Sequence, residues 1–244
     1  MRFMGKDKIY SEKCGKVPPF EFNSRVVDVF DDMIHRSVPL YNESIERMAQ
    51  LAEKFYQEKT LVYDLGCSNG NFGLRFLSTM GKKKFDMIAV DNSKPMLATY
   101  RTRLENRPNG ESIHLVCAHI QDIILSRASV VVINLTMQFL PVYIRDELIC
   151  SIYNALNPSG ILLVTEKTVQ KDSDLTDLFQ EFYYRFKKEN GYSNLEISQK
   201  RDALENVLIP ETMETHLERF ERAGFIKTEI WQKWFNFTSF ICQK

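Results

Sequence analysis

The chain has 244 residues, and its 32 Lys and Arg balance 32 Asp and Glu, so its formal charge at neutral pH is zero. Gripping a long run of phosphates needs an excess of cations, so this balance argues against an extended nucleic-acid footprint and leaves only a local patch open. With 44% hydrophobic and 26% charged residues, the chain has the makings of a globular core without disulfide or metal staples.

Residues 1–22 are polar, rich in Lys, Gly and Pro, and read as a flexible N-terminal arm; residues 23–244 read as a single domain. Asn23 and Ser24 cap a helical pattern in which Val26, Val27, Phe30, Met33 and Ile34 recur, and Pro39 follows its stop. A second helix is expected over about 43–57. LVYDLG (61–66) then reads as a buried strand, followed by a Gly-bearing turn and a helix. Further strands are expected at 85–91, 114–118, 128–135 and 160–166; the unbroken apolar runs in the last two suit a sheet covered on both faces. Strand–helix alternation argues for a doubly wound, mostly parallel α/β sheet. Residues 167–209 read as a helical insertion, and Pro210 opens a last helix that Gly224 ends. Two β-rich runs (226–234 and 235–244) close the chain, completing a seven-stranded, Rossmann-like arrangement of the class I S-adenosylmethionine-dependent methyltransferase kind.

The five cysteines are scattered, form no C-x-x-C pair and lie apart from the four histidines, so no metal site is expected. They suit a reducing compartment. With no apolar leader or membrane-length run, a cytoplasmic, non-membrane protein is expected.

Asp64, Gly66 and Gly70 at the end of the first strand suit close approach of a small ligand to the backbone, or a plain strand–turn–helix. The turn lacks a full G-x-G-x-x-G, which favours an adenosine ligand without a pyrophosphate. Asp91 ends the second strand 25 residues beyond Gly66, where a carboxylate can accept both ribose hydroxyls; it can also cap the next helix, a task for which Ser93 is better placed.

The segments DDMIHRSVPLY (31–41), VYDLGCSNG (62–70), DNSKPM (91–96), NLTMQFL (134–140), NGYSNLEISQKRDALENV (190–207) and ETHLERFERAGF (214–225) go further. Together they resemble the carboxy-S-adenosyl-L-methionine synthase family, from about residue 20 to the C-terminus. The resemblance implies an enzyme that takes S-adenosyl-L-methionine and prephenate to carboxy-S-adenosyl-L-methionine and phenylpyruvate. The product feeds modification of wobble uridine in tRNA by a separate transferase. It also implies a homodimer that does not itself bind tRNA. Carried over, the ligand-binding positions are Tyr41, Gly66, Cys67, Ser68, Asp91, Asn92, His119, Ile120, Asn134 and Arg201, with Arg201 and Tyr41 nearest the chemistry. A guanidinium suits a donor whose methyl has become a carboxymethyl group, because it can pair bidentately with the new carboxylate. Read without the resemblance, Arg201 is rather a solvated helix charge within QKRD, and Tyr41 a core or surface residue.

His119 departs from the family pattern, which has an acid there; Ile120 carries the adenine contact more securely. Glu166, at the end of the fifth strand, is a candidate base. An ordinary methyltransferase and a non-catalytic adenosine-binding protein are the competing expectations.

Overall fold

The structure, a computed structural model, describes residues 5–105 and 107–244. Its centre is a sheet of β1 (Leu61–Leu65), β2 (Asp86–Asp91), β3 (Ile113–Cys117), β4 (Ala128–Asn134), β5 (Leu156–Val169), β7 (Lys227–Trp234) and β8 (Phe237–Gln243). The order is β3-β2-β1-β4-β5-β8-β7. The first five strands run parallel, and β8 lies antiparallel to both β5 and β7. An additional two-residue strand, β6 (Glu211–Thr212), pairs with the end of β5.

Alternate side chains of the central strands enter opposite layers, as a pleated sheet requires. Val130, Val132, Ile161 and Leu163 join Met48, Ala52, Phe72 and Phe76 of α3 (Tyr41–Phe55) and α4 (Asn71–Met80). Val131, Ile133, Leu162 and Val164 join Ile149, Ile152 and Phe220 of α6 (Val142–Ala155) and α9 (Met213–Ala223) on the other face. That double burial accounts for the unbroken apolar runs.

Three details differ from the sequence reading. The first helical pattern is two helices, α1 (Ser24–Val27) and α2 (Phe30–Ser37), broken where Val29 leaves helical geometry at φ −122°, ψ 6°. The fifth strand begins at Leu156, four residues before its expected start at residue 160. Residues 5–22 of the expected flexible arm are tied to the body, while residues 1–4 lie outside the described residues. Asp7 is buried and accepts from the Tyr192 hydroxyl at 2.5 Å. Gln199 on α8 (Asn194–Leu204) donates to the carbonyls of Tyr10 and Glu12. Phe20 packs with Val26, Phe30, Met33, Met96 and Ala203. A buried carboxylate needs partners, and Asp7 finds them in the insertion.

Candidate functional site

The turn after β1 is held in shape by the end of β2. Gly66 and Cys67 donate their N–H groups to the Val90 carbonyl at 2.8 and 3.0 Å, and Ser68 donates to Asp91 Oδ2 at 2.8 Å. Gly66 and Gly70 take φ of +86° and +89°, and a Cβ at Gly66 would fall 2.1 Å from Thr136 Oγ1. Glycine is therefore required at position 66 both by the backbone and by the space. Asn69 and Asn71 both donate to Asp31 Oδ1, at 2.8 and 3.1 Å. They stitch the turn to α2 rather than acting as passive loop residues.

Asp91 is half-buried, with Oδ1 accepting from the Ser93 N–H at 2.8 Å. Burial raises its pKa, and the Ser93 and Ser68 N–H groups oppose the rise. Ser93 is indeed the N-cap of α5 (Lys94–Leu104). Beside Asp91, the Asp64 carboxyl is buried, and its Oδ2 has no hydrogen-bond partner among the described residues. Burial, and secondarily the Asp91 charge, push it up to about 8.

All ten positions carried over from the sequence line one cavity of about 720 Å³ at the carboxyl edge of the parallel strands. Such an edge is the usual ligand crevice of open α/β sheets. Tyr41 is buried at the start of α3, and its hydroxyl accepts from Asn71 at 3.2 Å. Burial drives its phenol pKa well up, which keeps the proton available for donation. The Cys67 thiol is likewise pushed up by burial and stays protonated. Ser68 donates its hydroxyl to Met96 Sδ at 3.4 Å. At the opposite rim Asn92 Nδ2 lies 3.3 Å from His119 Nδ1, with Ile120 buried behind them at the start of a short 3-10 turn. Asn134 ends β4 where Leu135 turns through φ +56°.

Arg201 lies at the cavity wall, but its side chain is 61% exposed and its guanidinium pairs with Asp202 at 3.0 Å. It is thus a rim cation held by its own neighbour, and an exposed pair of this kind holds weakly.

The wider comparisons agree with this architecture. A methyltransferase-domain family profile matches residues 62–160. An O-methyltransferase family protein from Burkholderia thailandensis superposes with a TM-score of 0.68 over 91% of this chain and 60% of that one, at 16% identity. Human N-acetylserotonin methyltransferase, solved with its S-adenosylmethionine ligand, gives 0.62 over 91% and 55%, at 15% identity. These likenesses establish the fold. A carboxy-S-adenosyl-L-methionine synthase from Desulforapulum autotrophicum is 53% identical over 99% of this chain and 98% of its own. One from Haemophilus ducreyi is 42% identical over 99% of each. The chain belongs to the carboxy-S-adenosyl-L-methionine synthase family.

In this synthase-family chain one residue read in the sequence is corrected and one cluster is added. Glu166, the candidate base, is fully buried and does not line the cavity. Its carboxylate accepts the N–H groups of Thr136, Met137 and Gln138 at 3.0, 2.7 and 3.1 Å, so it shapes the turn after β4. Although burial pushes it up to about 7, it serves that turn and does not face a substrate. Conversely, Lys167, Lys187 and Lys200 line the cavity from β5, α7 (Ser173–Glu189) and α8. The available signal for Lys167 and Lys187 was their place beside apolar or aromatic runs, TEK after ILLV and FKKEN after FYYR; Lys200, in ISQKRD, offered none.

Proposed function

We propose that this chain transfers a carboxyl group from prephenate to the S-methyl carbon of S-adenosyl-L-methionine, releasing phenylpyruvate. The product then serves a separate enzyme that modifies the tRNA wobble uridine, so no direct tRNA contact is required. The observation that carries the reading is one cavity joining an adenosine-type crevice at Asp91 to the Arg201 guanidinium. A sulfonium bearing a plain methyl group offers Arg201 only repulsion, whereas one bearing a carboxymethyl group offers it a carboxylate. The names of relatives 42–53% identical over nearly the whole chain support the same reading.

The residues fit the donor. The partnerless Asp64 carboxyl oxygen suits a cationic ligand, and Asp91, steadied by two backbone N–H groups, keeps lone pairs for ribose hydroxyls. Gly66, Cys67 and Ser68 form the turn beneath the donor, and Asn92, His119 and Ile120 the edge for adenine. Tyr41 and Asn134 border the space between donor and acceptor, where the Tyr41 hydroxyl can donate to developing carboxylate charge.

The donor supplies a methyl group acidified by its sulfonium. Charge and atoms balance without a side-chain base: prephenate dianion and donor monocation give phenylpyruvate monoanion, a neutral carboxymethyl product and water. The methyl proton leaves with the ring hydroxyl that aromatisation expels. The chain's part is to align the partners and exclude water. Leu175, Leu178 and Phe182 are exposed on α7, which supports pairing of two copies, and no described helix is long and apolar enough to cross a membrane. We place the protein in the cytoplasm, where scattered free thiols persist.

Incubation with S-adenosyl-L-methionine and prephenate, read by mass spectrometry, is expected to yield phenylpyruvate and a sulfonium heavier than the donor by one carbon dioxide. Unchanged donor, or methylated acceptors alone, would sink the reading.

A further inference from the structure

Three lysines from three separate elements face the same cavity, and two of them, Lys167 and Lys187, are unusually short of anions among the described residues. Lys187 is 4% exposed and Lys200 6%. Among the described residues, no carboxylate lies within salt-bridge distance of Lys167 or Lys187, although each ammonium sits over the Tyr183 ring, at 5.0 and 4.6 Å from its centroid. Lys167 has in addition a long 3.5 Å contact to Gln180. Lys200 donates to Ser37 at 3.0 Å and forms a long ion pair, 3.9 Å, with Asp7 Oδ2, an oxygen that also accepts from the Tyr192 hydroxyl.

Buried charges are ordinarily paired, and each unpaired one carries a desolvation penalty. Here burial pushes Lys167 and Lys200 down to about 8, and burial, aided by both neighbouring ammonium groups, pushes Lys187 well down as well. A ring face attracts a cation only modestly, and the one Tyr183 ring cannot offset both Lys167 and Lys187. The other buried cations illustrate the contrast: Arg145 and Arg219 share Glu211, with pairs at 2.6 and 2.7 Å. Asp7 thus gives Lys200 a partial counter-charge, whereas among the described residues the ammonium groups of Lys167 and Lys187 meet none, and the site they form is suited to an anion from outside the chain.

We propose that Lys167, Lys187 and Lys200 form a carboxylate-binding subsite for the second substrate, separate from Arg201, and anchor the carboxylate that this substrate retains. The assignment rests on the carboxyl-transfer reading for the identity of that substrate. A dicarboxylate held at one end by the lysines presents its other carboxyl group toward the donor crevice, whereas a substrate with one carboxylate is bound without one to give. The donor's sulfonium is a cation and gains nothing from this wall. Division of labour follows, with the lysines taking the incoming anion and Arg201 the carboxylate newly formed.

The test uses the full chain with Lys187→Met, which removes the charge and keeps most of the volume, and Lys187→Arg, which keeps the charge. Phenylpyruvate retains the anchored carboxylate and is the binding probe, while S-adenosylhomocysteine reports the donor crevice. Lys187→Met is expected to weaken phenylpyruvate binding, and to raise the KM for prephenate, by about ten- to a hundredfold. S-adenosylhomocysteine affinity should stay within about twofold, and Lys187→Arg should recover part of the loss. Wild-type phenylpyruvate affinity in Lys187→Met would overturn the subsite, as would a matching fall in S-adenosylhomocysteine affinity, which would give the lysines to the donor. Absence of a carboxymethyl product from the wild-type protein would instead overturn the functional reading. If Lys187→Met does not fold, as judged by its melting curve, Lys167→Met is read by the same criteria.

Discussion

Asn69, inside the glycine turn, donates its side-chain amide to Asp31 Oδ1 of α2 across 2.8 Å in a fully buried hydrogen bond. The pair joins the N-terminal helices to the donor crevice, and Arg103 closes the arrangement at 3.7 Å from the other Asp31 oxygen. The helical extension is therefore part of the site's scaffold, not a separate appendage.

Asp31→Ala leaves the buried Asn69 amide without an acceptor, a loss worth roughly 1–3 kcal/mol. Thermal unfolding should shift down accordingly, and S-adenosylhomocysteine affinity should fall with it, because the turn loses its brace. An unshifted melting temperature with unchanged affinity would show that the brace is idle.

The carboxyl edge of the sheet was legible because its signals are local. Alternation of apolar runs with Gly and Ser punctuation marks β1 and β2, and Asp91 follows from a spacing along one βα unit. Asn69 and Asn71 were harder to read, since their partner Asp31 lies about forty residues earlier and depends on how α2 docks. The lysines illustrate the same limit, because their convergence requires α7 and α8 to fold back over the end of β5. Glu166 was misread for the converse reason: a carboxylate at a strand end resembles a catalytic group until three backbone N–H groups are seen to turn onto it.

Asp64 makes a pH-dependent prediction. Its folded pKa, about 8, lies above the roughly 3.9 of an unfolded carboxyl. Between those values the native state binds the extra proton, so the stability this group contributes is full below about pH 4 and is lost as pH rises through 8. The wild-type melting temperature should therefore fall from pH 5 to 8 by more than that of Asp64→Asn. A cationic donor favours the charged carboxylate, so binding at pH 7 should release a proton. Calorimetry in buffers of different ionisation enthalpy reads that release, and Asp64→Asn should abolish it.

Arg145 is wholly buried, paired with Glu211 at 2.6 Å, and donates to the carbonyls of Leu140 and Ile209 at 2.8 and 3.0 Å. It thereby clamps two segments at the cavity wall. Removing one member of a buried pair costs roughly 3–5 kcal/mol, which for a domain of this size is a fall in Tm on the order of 10 °C. Arg145→Ala should show that fall in a melting curve; a shift of only a degree or two would mean that Glu211 finds water instead.

Arg201 yields the sharpest discrimination between ligands. Because its present partner Asp202 is a half-exposed neighbour, at 44%, breaking that pair costs little, and the guanidinium is free to turn toward a product carboxylate. Pairing with that carboxylate replaces a weak ion pair by charge-assisted hydrogen bonds, each worth roughly 1.5–3 kcal/mol. Its exposure argues for the lower end, so Arg201→Ala should weaken carboxy-S-adenosyl-L-methionine binding by about ten- to a hundredfold. S-adenosylhomocysteine, which carries no group at that position, should bind the variant almost as well as the wild type. Arg201→Lys should recover charge but not the two-pronged geometry, and so fall between them. Equal losses for both ligands in Arg201→Ala would mean that the residue shapes the rim without reading the carboxylate.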